Sequence, residues 1–233
     1  MEEALFVGWR SLAGAGGVKS RWRLGQVGEG LLVRALLRQA SAQVGAQIWS
    51  VFESHLAGAD FSGEHIWGVN FAHKRLTNAD FRRTFLLRTS FREVHAVGAE
   101  FSHAFLSDVD FSGAVLTDAE FRGVHAAVST FCGAQIAGGN FKEASLSTAD
   151  FRGAYLRDSQ FQDASLERAK FSGADMTGAN LVNANLSGAD FGGANLEGAS
   201  LERTNLLNAN LEGANTEGAN FEGANLERTG RKE

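Results

Sequence analysis

Six histidines, one cysteine and a dense scatter of aspartate and asparagine are the residues of this 233-residue chain that could do chemistry. Imidazoles and carboxylates hold metals or move protons, and a thiolate attacks electrophiles, but only where such groups converge. The single cysteine excludes a disulfide framework and a cysteine-based zinc site within one copy. No GxSxG, HExxH or GxxxxGK[ST] occurs, so the common hydrolase, metalloprotease and phosphate-cradling motifs are absent. What could bring the remaining groups together is the order of the elements that carry them, and that order is a repeat.

From Leu56 to Leu226 a large apolar residue recurs every fifth position through 35 consecutive steps, with only Ala96, Ala126 and Thr216 departing from it. Two residues before each of these sits a small one, 22 times alanine, with Glu64 and Lys74 as the charged exceptions. A period of five fits neither the 3.6 of a helix nor the 2.0 of a flat strand. The chain must therefore turn every five residues.

Ala-Asn-Leu-Glu-Gly at 194–198 and Ala-Asp-Phe-Ser-Gly at 59–63 carry a resemblance to the pentapeptide-repeat family, and it covers about three quarters of the chain. The resemblance implies an all-β solenoid: a right-handed, four-sided parallel β-helix with one pentapeptide per side and twenty residues per coil. The central Leu or Phe and the small residue two before it then point inward. Thirty-five units make about nine coils, a rod roughly 42 Å long at ~4.8 Å per coil.

On that frame the histidines separate. His55, His65, His73, His95, His103 and His125 fall on different walls or coils, and even His55 and His95, on one wall, stand ~9.6 Å apart, too far to share a metal. Cys132 falls at an outward position without an evident basic neighbour. No catalytic residues, metal site or cofactor are expected, and the chain reads as a protein other than an enzyme.

Phe occupies every tenth position from Phe61 to Phe171, twelve in succession, with Leu, Ile or Ala between. Steps of ten alternate between opposite sides, so Phe should line two facing walls and aliphatics the other two. The alternation lapses at Leu181, Leu201 and Leu211, where looser packing is expected.

The ends differ. Residues 1–53 lack the repeat, and Val33, Leu37, Ala40, Val44, Ile48 and Val51 follow helical spacing from about residue 30. An N-terminal α-helical cap over the first coil is expected, as solenoids commonly need. The β-helix then spans 54–229, and 230–233 form a short tail. No capping helix follows Leu226, so self-association through the C-terminal end is expected from an open sheet edge. No apolar run reaches eighteen residues, which argues against a membrane span. Glu2 and Glu3 oppose both a secretory leader and the presequence character that Arg10, Lys19, Arg21 and Arg23 lend the N-terminus. The expected location is the cytoplasm.

Two surfaces stand out as candidates. One wall should present His65, Trp67, Phe85, Leu87, Phe105, His125 and Val128 outward over four coils, more contiguous apolar area than a monomer usually exposes. Either a protein partner or the N-terminal segment should cover it. The other surface is acidic: Asp60, Asp80, Glu100 and Glu120 should stack on one wall, with Arg82, Arg83 and Arg122 to neutralise them, and Glu197, Glu202, Glu212, Glu217, Glu222 and Glu227 crowd the C-terminal tip. The resemblance extends to relatives that imitate duplex DNA toward DNA gyrase. Against that, a 42 Å length of B-DNA carries roughly 25 negative charges, whereas residues 54–233 hold 16 Lys or Arg and 23 Asp or Glu, a net of -7. The net charge of -5 for the whole chain also disfavours direct nucleic-acid binding. The favoured reading is a non-catalytic interaction or scaffold rod, and the alternative is a DNA-mimicking modulator of gyrase.

Overall fold

The computed structural model describes residues 56–230. The expected N-terminal helix and cap, together with His55, lie outside these residues, as do residues 231–233. Within them the backbone pairs with itself at a constant offset of twenty, always in parallel: Asp60 with Asp80, Asp80 with Glu100, and so on to Asn205 with Asn225. Each twenty-residue turn has four sides, because the chain bends every five residues. On most sides the carbonyl of the core residue accepts the N–H three residues on, as from Ala104 to Phe101 at 3.0 Å. Between them one residue takes a left-handed φ of 50 to 70°, at every fifth position from Gly58 to Arg228.

Seventeen of these corners are glycine and eighteen are not. A left-handed φ costs an L-residue about 1–2 kcal/mol, so the repeat tolerates strain wherever Arg, Glu, His or Val128 turns the corner. The offset is a second ladder, since corner N–H groups donate to the next coil, as from His103 to Arg122 O at 2.9 Å. Where Asp or Asn precedes the core residue it secures the bend locally: the side-chain oxygen of Asp80 accepts the N–H of Arg82, and that of Asn220 the N–H of Glu222, both at 2.9 Å.

The core is layered as the alternation of Phe and aliphatic residues requires. Phe rings twenty residues apart stack at 4.6 to 5.1 Å, and rings ten apart meet edge to face at 5.3 to 6.1 Å. All twelve Phe at the ten-residue core positions from Phe61 to Phe171 are fully buried. Burial does not lapse where the alternation does: Leu181, Leu201 and Phe191 are equally inaccessible, and Phe191 stacks on Phe171 at 5.0 Å. Leucine fills the column without the ring. Inward residues are half-buried only toward the two ends of the described residues, at Ala59, Val69 and Lys74 and again from Ala214 onward. Small polar residues at inward sites satisfy themselves on backbone carbonyls: the Thr84 hydroxyl lies 3.1 and 2.6 Å from the carbonyls of Phe61 and Phe81, and Ser159 donates to Ile136 O at 2.8 Å. Of the two charged exceptions, Glu64 is buried and Lys74 half-buried.

On one wall three coils stay extended past the core residue. β1 (His65–Trp67), β2 (Phe85–Leu87) and β3 (Phe105–Ser107) form a parallel sheet in the order β1-β2-β3, with His65 opposite Phe85 and Phe85 opposite Phe105.

Candidate functional site

In a strand successive side chains point to opposite faces. Each of β1, β2 and β3 therefore buries its middle residue, Ile66, Leu86 or Leu106, and exposes the two that flank it. Because the coils are in register, the flanking residues become two parallel columns running along the rod. The first is a ladder of rings: His65 on Phe85 at 4.6 Å, Phe85 on Phe105 at 4.8 Å, and Phe105 on His125 at 4.7 Å, all within 10° of parallel. Ring faces are spent on each other, so the ladder offers its edges outward. The second column is Trp67, Leu87 and Ser107, and a shallow groove of about 360 Å³ runs between the two. Trp67 is 67% exposed, Phe85 and Phe105 each 44%. Val128 sits at a corner one coil further, exposed and held at φ 66°, a conformation that β-branched residues rarely adopt. All seven residues of the apolar candidate thus fall on one wall and its edge.

The acidic candidates are arranged otherwise. Asp60, Asp80, Glu100 and Glu120 do form one bridged column. Its charge is relieved at two points: Arg82 grips Asp80 with its Nη2 at 2.6 Å, and Asn140 donates to Glu120 at 2.7 Å. The bond to Asp80 holds the Arg82 guanidinium above its usual range, with smaller help from Glu100 and Asp60. Arg122, expected beside this column, turns instead to Glu143 at 2.7 Å. At the tip the glutamates do not share a face. Glu197 and Glu217 stack on one wall and Glu202 and Glu222 on another, while Glu212 and Glu227 occupy the remaining two. Glu202 is paired with Arg203 at 2.6 Å.

Elsewhere the titratable groups serve the rod. The Asp190 carboxyl is held below the usual carboxylate range by the Ser172 hydroxyl, which outweighs its partial burial, with help from Gly192 N–H and Asn210. Burial pushes Asp110, Asp150 and Glu167 up, and hydrogen bonds more than reverse it: from Ser112 and Arg92 for Asp110, chiefly from Arg152 for Asp150, and from Ser147, Ser165 and Asn185 for Glu167. Cys132 is half-buried, its sulfur accepting from the Thr130 hydroxyl at 3.3 Å. Among the described residues no group of three His, Cys, Asp or Glu is placed to hold a metal ion. No helix there is long and apolar enough to cross a membrane.

A family model of pentapeptide repeats, in eight copies, matches residues 75–113, 97–126, 131–168, 159–198 and 189–228. The chain belongs to the pentapeptide-repeat family. With membership comes the right-handed sense of the β-helix. A search of curated proteins finds no match. Among solved structures the chain is similar to HetL, a pentapeptide-repeat protein involved in heterocyst differentiation regulation in the cyanobacterium Nostoc sp. strain PCC 7120, at 24% identity over 82% of this chain and 97% of that one, with a TM-score of 0.33. It is also similar to Rfr23 from the cyanobacterium Cyanothece 51142, at 34% identity over 41% of this chain and 62% of that one, TM-score 0.31. QnrB1, a plasmid-mediated fluoroquinolone resistance protein, aligns at 18% identity over 71% of this chain and 92% of that one, TM-score 0.41.

Two features of the pentapeptide rod escape a reading of residue types alone. The stacking of His65 and His125 onto the ends of the Phe85–Phe105 pair needs the twenty-residue register, in which all four share a column. The aromatic residue one place before the core position was the available signal. The extension of β1, β2 and β3 past their core residues has no marker in the sequence.

Proposed function

We propose that this protein is a non-catalytic interaction rod of the cytoplasm, which engages a protein partner through the wall of β1, β2 and β3. The observation that carries this reading is the exposed ring ladder His65–Phe85–Phe105–His125 beside Trp67 and Leu87. Large apolar residues aligned on a flat, hydrogen-bonded wall are pre-ordered, so little conformational entropy is lost when a partner covers them. In this reading residues 54–229 make about nine coils, and residues 1–53 close the first of them with a helix.

The test compares wild-type protein with the Phe85→Ser/Phe105→Ser variant as baits, followed by reconstitution with each purified candidate. Binding that survives both substitutions unchanged rejects the wall as the interface. A second reading, a DNA-mimicking modulator of DNA gyrase, is supported by the tip glutamates standing on all four walls, as charge surrounds a duplex. Supercoiling by purified gyrase, unaltered at micromolar protein, removes it.

A further inference from the structure

We propose that the partner of the β1–β3 wall is a second copy of this chain, docked face to face with the two rods antiparallel. This rests on the reading of that wall as an interface and names its occupant.

The argument is one of self-complementarity. A two-fold axis lying in the interface, along the strand direction and midway between β2 and β3, exchanges coils symmetrically about that midpoint. The ring ladder reads the same in both directions, His65, Phe85, Phe105, His125, with nearly equal spacings of 4.6, 4.8 and 4.7 Å. Under the axis Phe85 of one protomer meets Phe105 of the other, and His65 meets His125. The neighbouring column falls in size along the rod, Trp67, Leu87, Ser107, Ala127. The same operation therefore sets Trp67 against Ala127 and Leu87 against Ser107, large against small in both cases, as interdigitating faces require.

Charge at the edge of the wall obeys the same symmetry. Arg88 and Asp108 occupy successive corners, 70% and 71% exposed, and are separated by 3.9 Å within the chain. The axis places each opposite its counterion in the other protomer, so two ion pairs flank the apolar strip in trans. A partner chain of unrelated sequence has no reason to match a ladder, a size gradient and a charge pair that share one axis.

The contact spans about four coils of one wall, well below the ~800 Å² per partner of standard stable interfaces. The dimer is accordingly weak, and the experiment must span concentration. Sedimentation velocity of the full chain from roughly 5 to 500 μM should show a monomer–dimer equilibrium. Arg88→Asp alone and Asp108→Arg alone should each weaken association about tenfold, the loss of favourable pairs worth about 1.4 kcal/mol. The double exchange Arg88→Asp/Asp108→Arg should restore it. These corners accept such changes, since Arg and Asp both turn corners elsewhere in the rod. A dimer that is indifferent to the single changes and lost with Phe85→Ser/Phe105→Ser keeps the wall as an interface and overturns the antiparallel register. A chain that stays monomeric to 500 μM overturns the second copy as occupant. If Phe85→Ser/Phe105→Ser then alters proteolysis of residues 1–55, the occupant is the chain's own N-terminal segment. If that double variant changes neither self-association, proteolysis nor reconstituted binding, the interface reading itself fails.

Discussion

Truncation of Phe101 tests the layered core most directly. Its ring is fully buried, stacked between Phe81 and Phe121 at 4.9 Å on each side and edge-on to Phe91 and Phe111 at 5.6 and 5.4 Å. Replacing a buried Phe with Ala removes about 3–5 kcal/mol. Four ring contacts, each worth ~0.5–1.5 kcal/mol beyond area, place Phe101→Ala at the top of that range. Phe101→Leu separates the two contributions, because it keeps most of the buried volume and deletes every ring contact. About 2 kcal/mol is expected for it, well above the cost of an ordinary volume-conserving exchange. Leu116→Ala, equally buried on an aliphatic wall, provides the reference at about 3 kcal/mol. Urea unfolding followed by far-UV circular dichroism, with m-values compared across the three variants, measures each loss. A Phe101→Ala cost below about 1 kcal/mol would refute the inward register. A Phe101→Leu variant within about 0.5 kcal/mol of wild type would show that Phe in these columns is filler and that stacking adds nothing measurable.

The exposed wall should be less sensitive than the core: both rings are 44% exposed, so the three stacked contacts that Phe85→Ser/Phe105→Ser deletes count at the low end, about 0.5 kcal/mol each and about 1.5 kcal/mol together, and a loss above about 3 kcal/mol in the same urea assay would mean the ladder holds the fold. Corner strain should respond in both directions. Gly98→Ala, at φ 64° with its new Cβ 2.6 Å from Asn78 Oδ1, should cost about 1–2 kcal/mol, whereas Val128→Gly, relieving a β-branched residue at φ 66°, should be neutral to about 1 kcal/mol stabilising; thermal melts of the pair decide it. Acid should destabilise the rod. The carboxyls of Asp110, Asp150, Glu167 and Asp190 all titrate lower in the folded chain than in the unfolded one. The unfolded state then binds more protons, and the stability they confer, complete above about pH 5, declines as pH falls through 4 and below. Asp190→Asn should flatten that decline; an unchanged slope from pH 5 to 3 would contradict the assigned role of Ser172.

How much of this was legible beforehand depends on the range of the interaction. A five-residue period, small residues two before each core position and Phe at every tenth place are local patterns, and only a chain that turns every five residues can bury them all on one side. The turn every five residues and the inward residues therefore follow from residue order, whereas the four-sided coil, and with it the two Phe walls, is what the resemblance to the pentapeptide-repeat family implies. The seven apolar wall residues were legible too, because outward positions are what the inward ones leave over. Three things required coordinates. Arg122 leaves Glu120 for Glu143, and the reach of a flexible side chain is not encoded in spacing. Corners turn left-handed at Arg, Glu and Val as readily as at Gly, because cross-coil hydrogen bonds outweigh local preference. The ring ladder and the pairing of Arg88 with Asp108 within the chain exist only between residues twenty apart. The sequence by itself determined which side chains go in and which go out; which outward ones touch was decided by the stacking of coils, since contact depends on a separation that only the closed turn creates.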